Sequence, residues 1–117
     1  MSLPDIIKAR KLAELRTVAT AMIEDRMHLV EGTRKINRLR FEIDEPGHEV
    51  FNAIIAFEDD TEEFPIGKLR AEYEPNHLKR LDDKMNKLID DCKPDILAAC
   101  HEILRTFPNG ERDGVSS

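Results

Sequence analysis

The feature that most narrows what this chain can fold into is the spacing of its apolar residues. From Leu12 they recur at Leu15, Ala19, Met22, Leu29, Ile36, Leu39 and Ile43, with Val18, Ile23 and Val30 beside them. The steps are threes, fours and sevens, which put the residues on one face of a helix. Lys8, Arg10, Lys11, Arg16, Glu24 and Asp25 fall mainly off that stripe. A second stripe, Leu78, Leu81, Met85, Leu88 and Cys92, steps by 3, 4, 3 and 4, the seam of a bundle helix. A third runs through Ile96, Leu97, Cys100, Ile103, Leu104 and Phe107. We therefore expect an all-α fold, a bundle of four or five helices with one acidic loop.

Caps and breakers set the expected boundaries. Ser2 and Asp5 resemble a capping box with Asp in place of the usual Glu. Helices are predicted over about residues 5–28 and 30–42. Gly32 either divides one long helix or lets another backbone come close, since a helix-interior glycine is otherwise unfavourable by about 1 kcal/mol. Asp44-Glu45-Pro46-Gly47 reads as a turn. Residues 48–57 fit a strand, with Phe51, Ala53, Ile55 and Phe57 on one face, or a helix, with Val50, Phe51, Ile54, Ile55 and Phe57 on one side. Helix is preferred, because no second convincing strand exists to satisfy a ladder. Glu58 to Gly67 is predicted as the acidic loop, and Lys68 to Glu74 as a helical turn stopped before Pro75. Residues 76–92 and 94–106 are predicted as the last helices, broken or kinked at Pro94, which suits a helix's first turn. Residues 1–107 make one domain and 108–117 a flexible polar tail.

Composition bounds the function. The chain has 117 residues, the size of one domain. Its net charge is −6, which repels nucleic acid and anionic membranes unless the charges segregate. They do segregate along the chain. Residues 1–40 hold nine Lys and Arg against five Asp and Glu, and residues 41–117 nine against nineteen. The plain expectation is that the two halves pack and pair their charges. With five Phe, one Tyr and no Trp, the chain has few rings to spare for stacking bases. Residues 1–30 mix charged with apolar positions, unlike a signal peptide. The longest nearly apolar run, Val50 to Phe57, is far too short for a membrane span. Cys92 and Cys100 read as buried free thiols of a reducing compartment, the cytoplasm.

No motif announces a reaction. Glu58-Asp59-Asp60-Thr61-Glu62-Glu63 offers hard oxygen ligands but lacks the calcium-loop spacing and its glycine. Asp60 and Thr61 could instead cap the next helix. His28, His48, His77 and His101 are scattered, and with the two cysteines match no zinc spacing. Neither metal nor cofactor is expected. Arg34, Lys35, Arg38 and Arg40 form a basic cluster in which Arg34 and Arg38, four apart, share a helix face.

Leu29-Val30-Glu31-Gly32-Thr33-Arg34-Lys35-Ile36, followed by Leu39-Arg40, resembles a motif in small bacterial proteins of uncharacterised function. In that family a VEG-x-R-x-hydrophobic-x-x-LR helix precedes a Phe-rich apolar segment and an acidic E-T-D-x-x-P-x-G loop, then an Arg and an aromatic. Here the loop is Asp60-Thr61-Glu62-Glu63-Phe64-Pro65-Ile66-Gly67, followed by Arg70 and Tyr73. Asp60 replaces Glu, Glu62 replaces Asp, and Tyr73 replaces Trp. The resemblance spans about residues 24–105 and implies a helical fold with no known reaction.

The expected function is accordingly binding of another protein, of which an immunity or antitoxin-like inhibitor is one version, with nucleic acid an unsuited partner. The candidate binding residues are Glu31, Arg34, Arg40, Asp60, Thr61, Glu62 and Arg70. At least one of Arg34, Arg40 and Arg70 is expected to contact Asp60 or Glu62. The alternative is a small enzyme or ligand-binding protein in which Glu31, Arg34, Asp60 and Glu62 face one cleft. A homodimer is expected, because the stripes at 12–23 and 78–88 are more than a small bundle covers.

Overall fold

Ser2 opens the first helix. Its hydroxyl oxygen accepts the Asp5 N–H at 3.4 Å and its proton goes to the Asp5 carboxylate at 2.7 Å. In this computed structural model, which describes residues 2–108, the helices are α1 (Leu3–Ile23), α2 (Leu29–Glu42), α3 (Asn52–Thr61) and α4 (Pro75–Thr106). Short 3-10 helices cover Glu49–Phe51 and Gly67–Glu72. The architecture is the all-α bundle that the apolar spacing implies. Most of the polar tail expected from residue 108 lies outside the described residues.

The helices form a ring. α1 packs on α2 and α4, α2 on α3, and α3 on α4. α1 and α4 run antiparallel, since Arg16 meets Leu104 and Phe107 while Met22 meets Cys100. Leu15, Ala19, Met22, Ile36, Leu39, Ile43, Ile96 and Ile103 fill the centre, each large side chain contributing roughly 1.5–3 kcal/mol by leaving water. Of residues 48–57, His48 is an extended cap and the rest are helical: Phe51, Ile54 and Phe57 are buried together, a helical step that no strand produces. Of the seam on α4, Met85 is buried, and Leu78, Leu81, Leu88 and Cys92 are half-buried. The 12–23 stripe is core. The surplus of uncovered stripe that motivated a dimer is therefore largely absent.

Three boundaries differ from expectation. The first two helices part at Glu24–His28, where Asp25 takes a left-handed φ of 60° and His28 Nδ1 accepts the Val30 N–H at 3.2 Å. Gly32 is inside α2 and serves close approach: a Cβ there would overlap Met22 Sδ and lie 2.6 Å from Met22 Cγ. The acidic segment is only half a loop, because residues 58–61 complete α3. Pro94 breaks nothing. α4 runs through it for 32 residues, about 48 Å of helix. Pro94 and Asp90 are both exposed, so the Asp90 carbonyl, deprived of its usual donor, faces water.

Gly32→Ala sets a helix-propensity gain of about 1 kcal/mol against overpacking of Met22, which costs about 1–3 kcal/mol in a filled core. Urea denaturation should show a net loss of about 1 kcal/mol. With Met22→Ala already in place the same substitution should become stabilising, and additivity of the two changes would rule out the contact.

Candidate functional site

Two of the three candidate arginines hold backbone rather than carboxylates. Arg34, on α2, donates from Nη2 to the carbonyls of Thr61 at 2.9 Å and Phe64 at 2.8 Å. These close the end of α3, where carbonyls lack intrahelical donors and the helix dipole favours a cation. Arg40 donates from Nε to Asn37 Oδ1 at 2.7 Å and from Nη1 to the Pro46 carbonyl, and its guanidinium lies 4.3 Å from the Phe41 ring centre. Asn37 in turn donates to the Glu58 carboxylate. Thr61 is fully buried and donates its hydroxyl to the Phe57 carbonyl at 2.7 Å, so it caps no following helix. Among the described residues, Asp60 and Glu62 accept from no arginine. The expected contact is thus corrected: the loop is organised by Arg34, but through its carbonyls. The longer α3 carries Asp60 to the outer surface and leaves the helix end nearest the guanidinium.

Arg70 finds a different acid. Its Nη1 and Nη2 donate to Asp82 Oδ1 and Oδ2 at 2.8 and 2.7 Å, a fork matched to a carboxylate. The Arg70 hydrogen bond holds the Asp82 carboxyl below its usual range, with the nearby His28 adding to the effect, and Asp82 raises Arg70 in turn. The pair borders a shallow cleft of about 350 Å³, shared with His28, Glu31, Ile66 and Asn86. Of the candidate residues only Glu31 and Arg70 meet there. Arg34, Asp60 and Glu62 lie elsewhere, so the four-residue cleft of the enzyme reading is not assembled.

Neither cysteine is an activated thiol. Burial pushes the Cys100 thiol up to about 11. Burial raises that of Cys92 as well, aided by the carboxylates of Asp60, Asp91 and Asp95, and the thiolate is the reactive form. Among the described residues no group of three His, Cys, Asp or Glu is arranged to hold a metal ion, and no helix is long and apolar enough to cross a membrane.

A second cleft, of about 480 Å³, lies where α4 passes the Glu49–Phe51 turn and the start of α3. Ala53, Ala98 and Ala99 line it, with Glu49, Asp95 and Glu102 around them. No Lys or Arg joins that lining. The expected pairing of basic with acidic half occurs only at Glu42, which meets Lys11 at 3.6 Å and Arg38 at 3.4 Å. The other ion pairs among the described residues stay within residues 2–40 or within residues 41–108. The sequence reading passed over this groove. The available signal was Asp95, Ala98, Ala99, Glu102 and Thr106 at helical spacing, a face with small residues where a core face carries large ones.

Residues 7–103 match the family described as "Protein of unknown function (DUF2489)". The chain belongs to that family. No curated protein and no solved structure matches it. The DUF2489 match runs from α1 nearly to the end of α4, so it takes in the Arg34 clasp, the Arg70–Asp82 fork and the acidic groove. An uncharacterised family is what the sequence resemblance implied.

Two outcomes follow. Arg34→Met should lower stability by about 2–3 kcal/mol, since hydrogen bonds from a charged donor contribute about 1.5–3 kcal/mol, and hydrogen exchange should quicken first at the end of α3. A carboxyl whose folded pKa lies below its unfolded value adds stability above the unfolded value and loses it as pH falls through the folded one. The gap in melting temperature between wild type and Asp82→Asn should therefore be widest at neutral pH and close on acidification below the ordinary aspartate range.

Proposed function

We propose that the protein acts by binding another protein, one that presents Lys or Arg side chains, through the acidic groove between α4 and the start of α3. The observation that carries this reading is that Glu49 and Asp95, which border the groove, take part in no ion pair among the described residues and so are open to an external cation. The alanine floor leaves room for a large apolar side chain between flanking basic ones, and such charge complementarity steers and speeds association. An inhibitor of the immunity or antitoxin kind, masking a basic partner, is one form of this function.

On this reading Glu31, Arg34, Arg40, Thr61 and Arg70 support the scaffold or its edge, and Asp60 and Glu62 extend the acidic surface. The VEG-x-R helix and the loop before Gly67 are then folding motifs: Gly32 admits α1, and Arg34 ties down α3. The compartment is the cytoplasm, where the free thiols Cys92 and Cys100 stay reduced. Eight residues apart on one helix, they stand about 12 Å from each other, beyond the roughly 7 Å a disulfide tolerates.

Affinity capture from the native host with mass spectrometry tests the reading. A stoichiometric basic partner should be retained by wild type, fall away with rising salt, and be lost with Glu49→Lys/Asp95→Lys or with the groove filled by Ala98→Trp. Full retention by both variants would remove the groove from the function.

A further inference from the structure

α1 has a second face that the bundle leaves uncovered. Leu3, Ile6, Arg10, Ala13, Thr17 and Thr20 step by 3, 4, 3, 4 and 3, the period of a helix seam, on the side away from Leu15, Ala19 and Met22. The two ends of this face differ in shape. At the first end Leu3, Ile6 and Ile7 stand in solvent, 67%, 36% and 46% exposed. At the other, Ala13, Thr17 and Thr20 line a depression of about 330 Å³, flanked by Arg16 and Arg26. One helix thus bears both an apolar knob and a hollow of small side chains.

We propose that a second copy of this chain pairs with α1 in antiparallel fashion about a two-fold axis, the knob of each copy filling the hollow of the other. An axis passing between Lys11 and Leu12 sets Leu3 opposite Thr20 of the second copy, Ile6 opposite Thr17 and Arg10 opposite Ala13. A single register therefore matches every bulky position with a small one. That self-complementarity singles out a second copy as the occupant, because a two-fold interface pairs residue i with j and j with i. Arg10 takes part in no ion pair among the described residues, and the register puts it beside Glu14 of the second copy, whose side chain is 40% exposed and meets Lys11 and Arg38 of its own chain. This interface uses none of the groove residues, so it stands or falls apart from the proposed function.

The experiment combines mass with register. Light scattering of the full chain at micromolar concentration should give the mass of two chains rather than the 13.5 kDa of one. Thr17→Arg, at an exposed position, fills the hollow and should return the mass to that of one chain with the circular dichroism spectrum unchanged. Ile6→Cys/Thr17→Cys should form an interchain disulfide on mild oxidation. Ile6→Cys alone should not, because its two copies lie about 16 Å apart along the axis; Cys92 and Cys100 are present in both as a common background. A monomeric wild type, a dimer indifferent to Thr17→Arg, or equal cross-linking by the single and double variants would each overturn the proposal.

Discussion

The bundle depends on two guanidinium clasps. Arg16 of α1 donates from Nη1 to the carbonyls of Leu104 and Phe107, both at 2.8 Å, and Arg34 of α2 does the same for Thr61 and Phe64. The first two helices thus each tie off the C-terminal end of one of the last two. A helix end leaves up to four carbonyls without donors, and its dipole places partial negative charge there. A buried or half-buried end needs a donor from elsewhere in the chain, and arginine supplies two bonds from one planar group. Both clasps span long stretches of sequence, so they fix tertiary arrangement rather than local helix.

These clasps also account for the electrostatics. The chain's positive half meets its negative half at one acid, Glu42, which takes Lys11 and Arg38, while Arg16, Arg34 and Arg40 are occupied by neutral carbonyls. α4 itself is balanced, with six Asp and Glu against six Lys and Arg, and pairs Lys84 with Glu63 and Arg105 with Glu102. The acidic excess lies in residues 41–74, where eleven Asp and Glu face two Lys and Arg.

Much of the fold was legible because burial depends on period. Leu15, Ala19, Met22, Ile36, Leu39 and Ile43 share a face in any helix and are all buried. The breaks were harder, because glycine and proline were doing something other than breaking. Gly32 is a glycine for the sake of Met22, while the real break uses Asp25 in a conformation usually left to glycine. Pro94 lies on the wet side of α4, where its unpaired carbonyl neighbour is solvated and the helix survives. The site was less legible still. Arg34, Arg40 and Arg70 were offered together as organisers of the loop, and sequence shows side-chain acids while it hides backbone carbonyls, so Asp60 and Glu62 were named as the partners where Arg34 in fact holds carbonyls. Asp82 was missed for Arg70 because nothing in the spacing brings the Gly67–Glu72 turn against α4.

Pro94 has a mechanical consequence. A helix resists bending through its ladder of backbone bonds, and the bond that Asp90 would accept is missing. Flexure of α4 is therefore concentrated at one joint. The Arg70–Asp82 fork sits on one side of that joint, and Asp95, Ala98 and Glu102 sit on the other. The rod is thus jointed between the fork and the carboxylate groove, at the one step of its ladder that proline leaves without a donor.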